Sequence, residues 1–408
     1  MDTSPAPGDH AAPHLDGPAA VFRVFLRLGL TSFGGPVAHL GYFRAEFVAR
    51  RRWLDDRAFA DLVALCQFLP GPASSQVGIG LGLLRAGWPG AIAAWAGFTL
   101  PSAVAMTLFA LGLSGWGSAA PAGLLHGLKL VAVAVVAQAV WGMARRLCTD
   151  APRVTIAVAA ASVVLLWPGV AGQVGVIAAA ALVGLLAFTA AQQEAGGALP
   201  IAVGHRAGAV LLVLFFALLL GLPILRQVWP SQALALVSAF YRAGSLVFGG
   251  GHVVLPLLQA AVVPSGWVAN ETFLAGYGAA QAVPGPLFSF SAFLGASMQL
   301  VPNGWIGAAL CLIAIYLPSF LLVIGIMPFW ERLRHSTRMQ AALAGVNAAV
   351  VGLLLAALYR PVWTSAVTGA QDFALALIAM LALMAWKLPP WMVVLASGVA
   401  GWLLIPGA

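Results

Sequence analysis

Apolar residues run through this chain in long stretches separated by short polar punctuation. Residues 207–222 carry no polar side chain, and residues 124–144 carry only three. Such runs approach the roughly 20 apolar residues that cross a bilayer as one helix, so the pattern predicts an all-α polytopic membrane protein. Two stretches interrupt the pattern in the same way. LTSFGGPVAHL (30–40) places two glycines and a proline where a helix should run smoothly, and SLVFGGGHVVL (245–255) breaks similarly about two hundred residues later.

The two breaks belong to an internal repeat, the feature to seek first in any sequence. FLRLGLTSFGG (25–35) aligns without a gap on FYRAGSLVFGG (240–250). QFLPGP (67–72) then aligns on QAVPGP (281–286), Trp53 on Trp267, and TLPS (99–102) on YLPS (316–319), with a drift of only three residues. This order divides the chain into a disordered N-terminal tail (1–17), a first repeat (18–192), a loop with one unmatched linker helix near 207–225 (193–231), and a second repeat (232–408).

Composition agrees: 62% of the 408 residues are hydrophobic and 8% charged, against about a quarter charged in soluble domains. The net charge of +8 sits mostly in interhelical loops, which speaks to membrane orientation and not to nucleic acid. Residues 44–57 hold five arginines, whereas their repeat partner 259–271 has no Lys or Arg. Further on the bias reverses, with 112–123 uncharged and 331–338 basic. Cytoplasmic loops carry the positive excess, so the halves are expected to be inverted relative to one another. The expected fold is two inverted-topology repeats, each with two broken (re-entrant) helical hairpins and about four full crossings, joined by one linker transmembrane helix. The N-terminus is expected in the cytoplasm and the C-terminus outside, in a bacterial-type plasma (inner) membrane. The tail lacks the basic start and apolar run of a cleaved signal.

Irregular backbone at membrane depth survives only inside protein or beside water, and interrupted segments at matching places in two repeats point to a transporter's substrate site. A half-helix that begins inside the protein presents unbonded N–H groups and the positive end of its dipole, which favours an anion. The substrate-binding candidates follow. Around the first glycine break they are Ser32, Phe33, Gly34, Gly35 and Pro36. Around the first PGP they are Gln67, Pro70, Gly71, Pro72, Ser74, Ser75 and Gln76. In the second half they are Ser245, Phe248, Gly249 and Gly250, then Gln281, Pro284, Gly285, Pro286, Ser289 and Ser291. For any one of these serines a bond to its own i−4 carbonyl is an equal expectation. Arg27, Arg242 and Lys129, charges within apolar segments, are candidates for charge compensation or coupling; snorkelling to the interface, or an unseen carboxylate partner, is the competing reading. Glu46 and Asp61 are expected in surface ion pairs. His39 and His252 follow the glycine breaks at no metal-binding spacing. Cys66, Cys148 and Cys311 form no paired pattern. There is no GxxxxGK[ST] and no GxSxG, so no catalytic residue, cofactor or direct ATP drive is expected.

The SFGGP and FGGG breaks, the two QxxPGP motifs, the WLDDRAF segment and the two-half layout resemble the chromate ion transporter family in its long, two-domain form. That resemblance implies a plasma-membrane transporter that extrudes chromate and confers chromate resistance, with sulfate as a structural analogue. The implied positions are Phe33 to Pro36, Gln67, Pro70 to Pro72 and their second-half counterparts. The second half departs by having Gly251-His252 where the first has Pro36-Val37. An anion channel, a sulfate or other oxyanion carrier on the same scaffold, and a sensor without transport are the alternatives. Membrane lipid is the expected surrounding. Oligomeric state, homo-oligomer included, is not legible, because lipid-facing and protein-facing apolar stripes read alike.

Overall fold

The computed structural model describes residues 17–116, 122–188 and 203–404; the expected tail, apart from Gly17, lies outside them. Among the described residues every regular element is helical. In the first half α1 (Pro18–Thr31) leads through the glycine break to α2 (Gly35–Phe43) and a π-helical turn (Arg44–Arg50). α3 (Asp56–Phe68), the PGP break and α4 (Ala73–Trp116) follow, then α5 (Ala122–Leu147), α6 (Ala151–Leu166) and α7 (Val170–Ala187). The linker helix α8 (His205–Val228) precedes α9 (Gln232–Leu246), α10 (Val254–Val262), α11 (Asn270–Ala280), α12 (Phe290–Ala296), α13 (Gly304–Ile326), α14 (Trp330–Arg334), α15 (Thr337–Ala357), α16 (Thr364–Ala366), α17 (Ala370–Met384) and α18 (Pro390–Leu404). Short polar residues start several of these helices. Asp55 accepts the Ala58 N–H at 2.7 Å and Asp150 the Arg153 N–H at 2.9 Å, each satisfying one of the orphaned first-turn donors.

The breaks turn the chain back on itself. Phe25 and Phe47 lie twenty-two residues apart, about 33 Å along a straight helix, yet their rings stack with centroids 5.0 Å apart. Across the first PGP, the Leu62 side chain fills the space beside Gly80, and across the second, Phe293 covers Gly276. α4 bends sharply at Ala86 and Gly87, so that Gly82 meets Gly90 and Ala94 of the returning arm. Gly295 of α12 meets Gly307 of α13 in the same manner. Gly80 and Gly82 therefore serve close helix approach, the use small residues have in membrane interfaces.

The outer helices are exchanged between halves. α6 and α7 of the first half pack on α15 of the second, while α17 and α18 pack on α5. Small residues make both contacts: Gly127 lies against Ser397 and Gly398, and Gly345 against Ala180 and Gly184. Gly127 and Gly345 are repeat counterparts, so the two crossed contacts are one contact made twice. Inside, α1 packs on α4 and α9 on α13.

Among the described residues six helices are long and apolar enough to span a bilayer, and the chain is a multi-pass membrane protein. α8 among them exposes Val210, Val213, Phe216 and Leu220, a face suited to lipid. The expected four full crossings per half are not all matched by length. α6 has 16 residues and α17 and α18 have 15 each, about 23 Å of helix against a hydrocarbon core near 30 Å. These segments pack along only part of their partner helices.

Ion pairs tie the basic segments together. Arg44 Nε bonds Asp56 at 2.8 Å, and Glu46 is held by Arg50 and by Arg51, the latter at 2.7 Å. Burial pushes the Glu46 carboxyl up, and the two guanidiniums outweigh it, leaving it below the ordinary value. Asp61 departs from the surface pairing expected of it. It is buried, and its Oδ1 accepts from Arg334 Nη1 at 2.9 Å and Trp330 Nε1 at 3.0 Å. This ties the first half's PGP hairpin to the second half's basic segment. Removing one partner of a buried pair costs about 3–5 kcal/mol because the other charge is stranded. Asp61→Asn should therefore lower the thermal unfolding midpoint in detergent clearly, and Asp61→Ala with Arg334→Leu should be less destabilising than the two single changes summed. Full additivity would show that the pair does not couple the halves.

Candidate functional site at the crossed helix breaks

Each of the four breaks leaves backbone groups without helical partners, and the chain pairs them crosswise. Gly285 N, in the second PGP, donates to Ser32 O at the first glycine break at 2.9 Å. Gly71 N, in the first PGP, donates to Val247 O at the second glycine break at 2.6 Å. Ser32 and Val247 correspond in the sequence repeat, as do Gly71 and Gly285, so the two bonds join corresponding positions. Both glycines have positive φ, +129° at Gly71 and +100° at Gly285, a region other residues enter only at a cost. A Cβ on Gly71 would also fall 2.9 Å from Ser319 Oγ, and one on Gly285 3.0 Å from Ser102 Oγ. Ser102 and Ser319 are again counterparts.

The crossed pairs differ in what surrounds them. Gly34, Gly35 and Pro36 with Gln281, Val283 and Gly285 line a cavity of about 410 Å³. Gln138 of α5, His252 and Lys387 complete its polar lining. α2 starts at Gly35, so its first-turn amides and dipole end open here. His252 is fixed by a 2.8 Å bond between its Nδ1 and Tyr277 Oη. The corresponding pair has other surroundings: Gly71 and Pro72 are buried while Gly249 is exposed, and a side chain at Gly249 would meet Met143 and Leu147 at 3.2 Å.

The candidates thus separate. Gly34, Gly35, Pro36, Gln281 and Gly285 line the cavity, whereas Pro284 and Pro286 flank it along the chain. Phe33 faces Trp391, with centroids 6.4 Å apart, and Phe248 packs on the core. Ser32 is buried with its Oγ unpartnered. Beside the closed pair, Ser74 Oγ lies 3.3 Å from His39 Nδ1, Ser75 Oγ 3.4 Å from Tyr316 Oη, and Gln76 Nε2 donates to Pro70 O at 2.7 Å. Ser245 bonds Tyr241 O, Ser289 bonds Pro286 O and Ser291 bonds Phe288 O, so these three hydroxyls donate to their own helices. Gln67 is exposed and outside the cavity lining.

The intramembrane charges are not at the cavity. Arg27 is exposed on α1. Arg242 is half-buried with Arg226 as its electrostatic neighbour. Lys129 is buried and its Nζ lies 3.6 Å from Glu271, the structural pairing that competed with a substrate role. Lys387 and Gln138 were missed by sequence reasoning. Lys387 sits in a turn between two apolar helices, where a lysine reads as a loop charge, and Gln138 was one polar residue in a long apolar run. Only the three-dimensional crossing of the halves brings them to the breaks.

No solved structure matches this chain. A chromate transport protein of Pseudomonas aeruginosa is 30% identical over 95% of this chain and 92% of its own length. A probable chromate transport protein of Synechococcus elongatus is 25% identical over 93% of each. An uncharacterized transporter of Bacillus subtilis is 29% identical and matches 96% of its own length to only 42% of this chain, the proportion expected of a single half. The sequence profile of the chromate transporter family matches residues 19–222 and 234–402, a break that covers the end of α8 and the start of α9, and the chain belongs to that family.

Proposed function

We propose that the protein is a carrier that exports chromate, a sulfate-like tetrahedral oxyanion, from the cytoplasm by alternating access, and so gives chromate resistance. The observation that supports this best is the cavity at the first glycine break and second PGP. Its lining offers a helix N-terminus, the Gln138 and Gln281 side chains and a cation, all suited to a dianion with four acceptor oxygens. Relatives named as chromate transport proteins supply the substrate.

Alternating access draws support from the crossed pairs, one lining a cavity and its counterpart holding its PGP glycine and proline buried. In this reading the halves are inverted repeats with re-entrant hairpins, and rocking exchanges the open pair for the closed one. The ion pairs support inversion. Asp61 beside the first basic segment meets Arg334 within the second, and Lys129 beside the uncharged 112–123 segment meets Glu271, the last residue of the 259–271 segment that has no Lys or Arg. Basic segments thus gather together, and segments without Lys or Arg gather together or beside one another, as a shared cytoplasmic face requires. The N-terminus is then cytoplasmic and the C-terminus external, in the plasma membrane.

Everted vesicles should accumulate labelled chromate with saturating kinetics, sulfate should compete, and preloaded anion should drive counterflow. Non-saturating flux without counterflow would favour a channel, and vesicles that move neither anion would overturn the assignment. The lining makes a second test. In a background with Cys148→Ser, labelling of Gln281→Cys should be slowed by sulfate, which does not oxidise thiols, whereas Ser245→Cys and Ser289→Cys should show no protection. Alanine at Ser245, Ser289 or Ser291 should leave transport within about twofold, because each hydroxyl only bonds its own helix. Protection at Ser289→Cys in place of Gln281→Cys would move the site away from this cavity.

A further inference from the structure

We infer that Lys387, at the turn between α17 and α18, is the charge-compensating residue of the oxyanion site, and that the protein has one such site and not two related by its internal symmetry. The inference rests on the oxyanion reading above and deepens it.

Lys387 is the one charged residue lining the cavity at the open breaks, and among the described residues no carboxylate pairs with it. The α17–α18 hairpin carries it there. α17 runs beside α5 from the His126–Asp372 contact at 2.8 Å to the Gln138–Leu383 contact at 3.5 Å. α18 then runs back along α5, with Gly401 lying against Gly123 and Ser397 against Gly127. The turn therefore lies near Gln138, short of the Arg145 and Arg146 that end α5.

The backbone at Lys387 has φ +54°. Residues other than glycine rarely adopt this conformation. The Gly127–Gly345 offset carries Lys387 to Gly169 and the Gly184–Gly401 offset carries it to Val170, and of these two neighbours at the α6–α7 turn Gly169 is the one at positive φ (+120°). One half thus meets this backbone demand with glycine. The other places a lysine there, a local rule broken at the cavity, which is where a functional constraint shows.

The rest of the lining is unequal in the same sense. His252 stands opposite Val37 in the repeat and Gln138 opposite Ala356, so the other pair has no counterpart of Lys387, His252 or Gln138, and the His39 imidazole beside it is taken up by Ser74. A dianion there would find neither charge nor those side-chain partners. The symmetry provides the gating scaffold, and a single set of side chains on it provides the anion site. An interfacial anchor, the role that Trp386 and Trp391 beside the turn would suit, does not require opening onto this cavity.

The test uses full-length protein in everted vesicles with labelled chromate. Lys387→Gln should raise KM on the order of tenfold or more, since removing one unit charge beside a dianion costs at least about 1.4 kcal/mol, while Lys387→Arg should keep transport near wild type. In a Cys148→Ser background, Lys387→Cys should transport poorly and be restored by a reagent that attaches an aminoethyl group, but not by one that attaches a sulfonatoethyl group. Gly169→Lys should not create a second site, leaving KM unchanged. If wild type transports and Lys387→Gln matches it, the lysine is an interfacial anchor and the inference falls. It falls equally if the arginine variant and the amine-modified cysteine are as impaired as glutamine. Wild-type vesicles silent toward chromate and sulfate overturn the oxyanion reading itself, and this inference with it.

Discussion

A backbone amide or carbonyl in hydrocarbon must find a partner within the protein, and four interrupted helices in one chain multiply that demand. Here the demand is met across the halves. Ser32 O takes its proton from Gly285 and Val247 O from Gly71, so each half supplies a donor for the other's broken helix. Neither half keeps those partners alone. The crossed bonds place all four breaks together, and the arrangement requires glycine at both donors, since a Cβ would run into the serines of the neighbouring helix.

The outer helices follow the same logic at larger scale. α5 and α15 are the longest helices to receive a hairpin from the opposite half, and small residues on both partners let the backbones meet. Packing of this kind replaces the hydrophobic drive that lipid removes. It leaves the halves intertwined, and the buried Asp61–Arg334 pair adds a polar tie between them.

Much of this fold was legible because breaks in an apolar run are rare and carry physical meaning. The helical class and the interruptions at the glycine pairs and at PGP follow from glycine and proline placement read against helix length. Side-chain partnerships were less legible. Ser245, Ser289 and Ser291 lie within five residues of a break, as Ser32 does, yet their hydroxyls bond the preceding turn, an outcome set by local rotamers. Asp61 looked like a loop carboxylate because its partner lies 273 residues away. Lys387 could not be joined to the breaks from sequence, since its position depends on which half's hairpin lies along α5.

On the carrier reading proposed above, a substrate attracted equally to both crossed pairs would be drawn to opposite faces of one gate. Chemical inequality would resolve this. With Lys387, His252 and Gln138 on the Gly35–Gly285 side, and Val37, Ala356 and Gly169 at the corresponding places, the anion would have one place to bind whichever way the halves lean. A backbone repeated in the two halves would then supply two conformations of comparable energy, the condition for a two-state gate. The unlike side chains would decide what passes through it. Selection on the two can proceed separately: substitutions at the cation side retune the substrate, while the glycines and crossed carbonyls that hold the breaks together are left undisturbed.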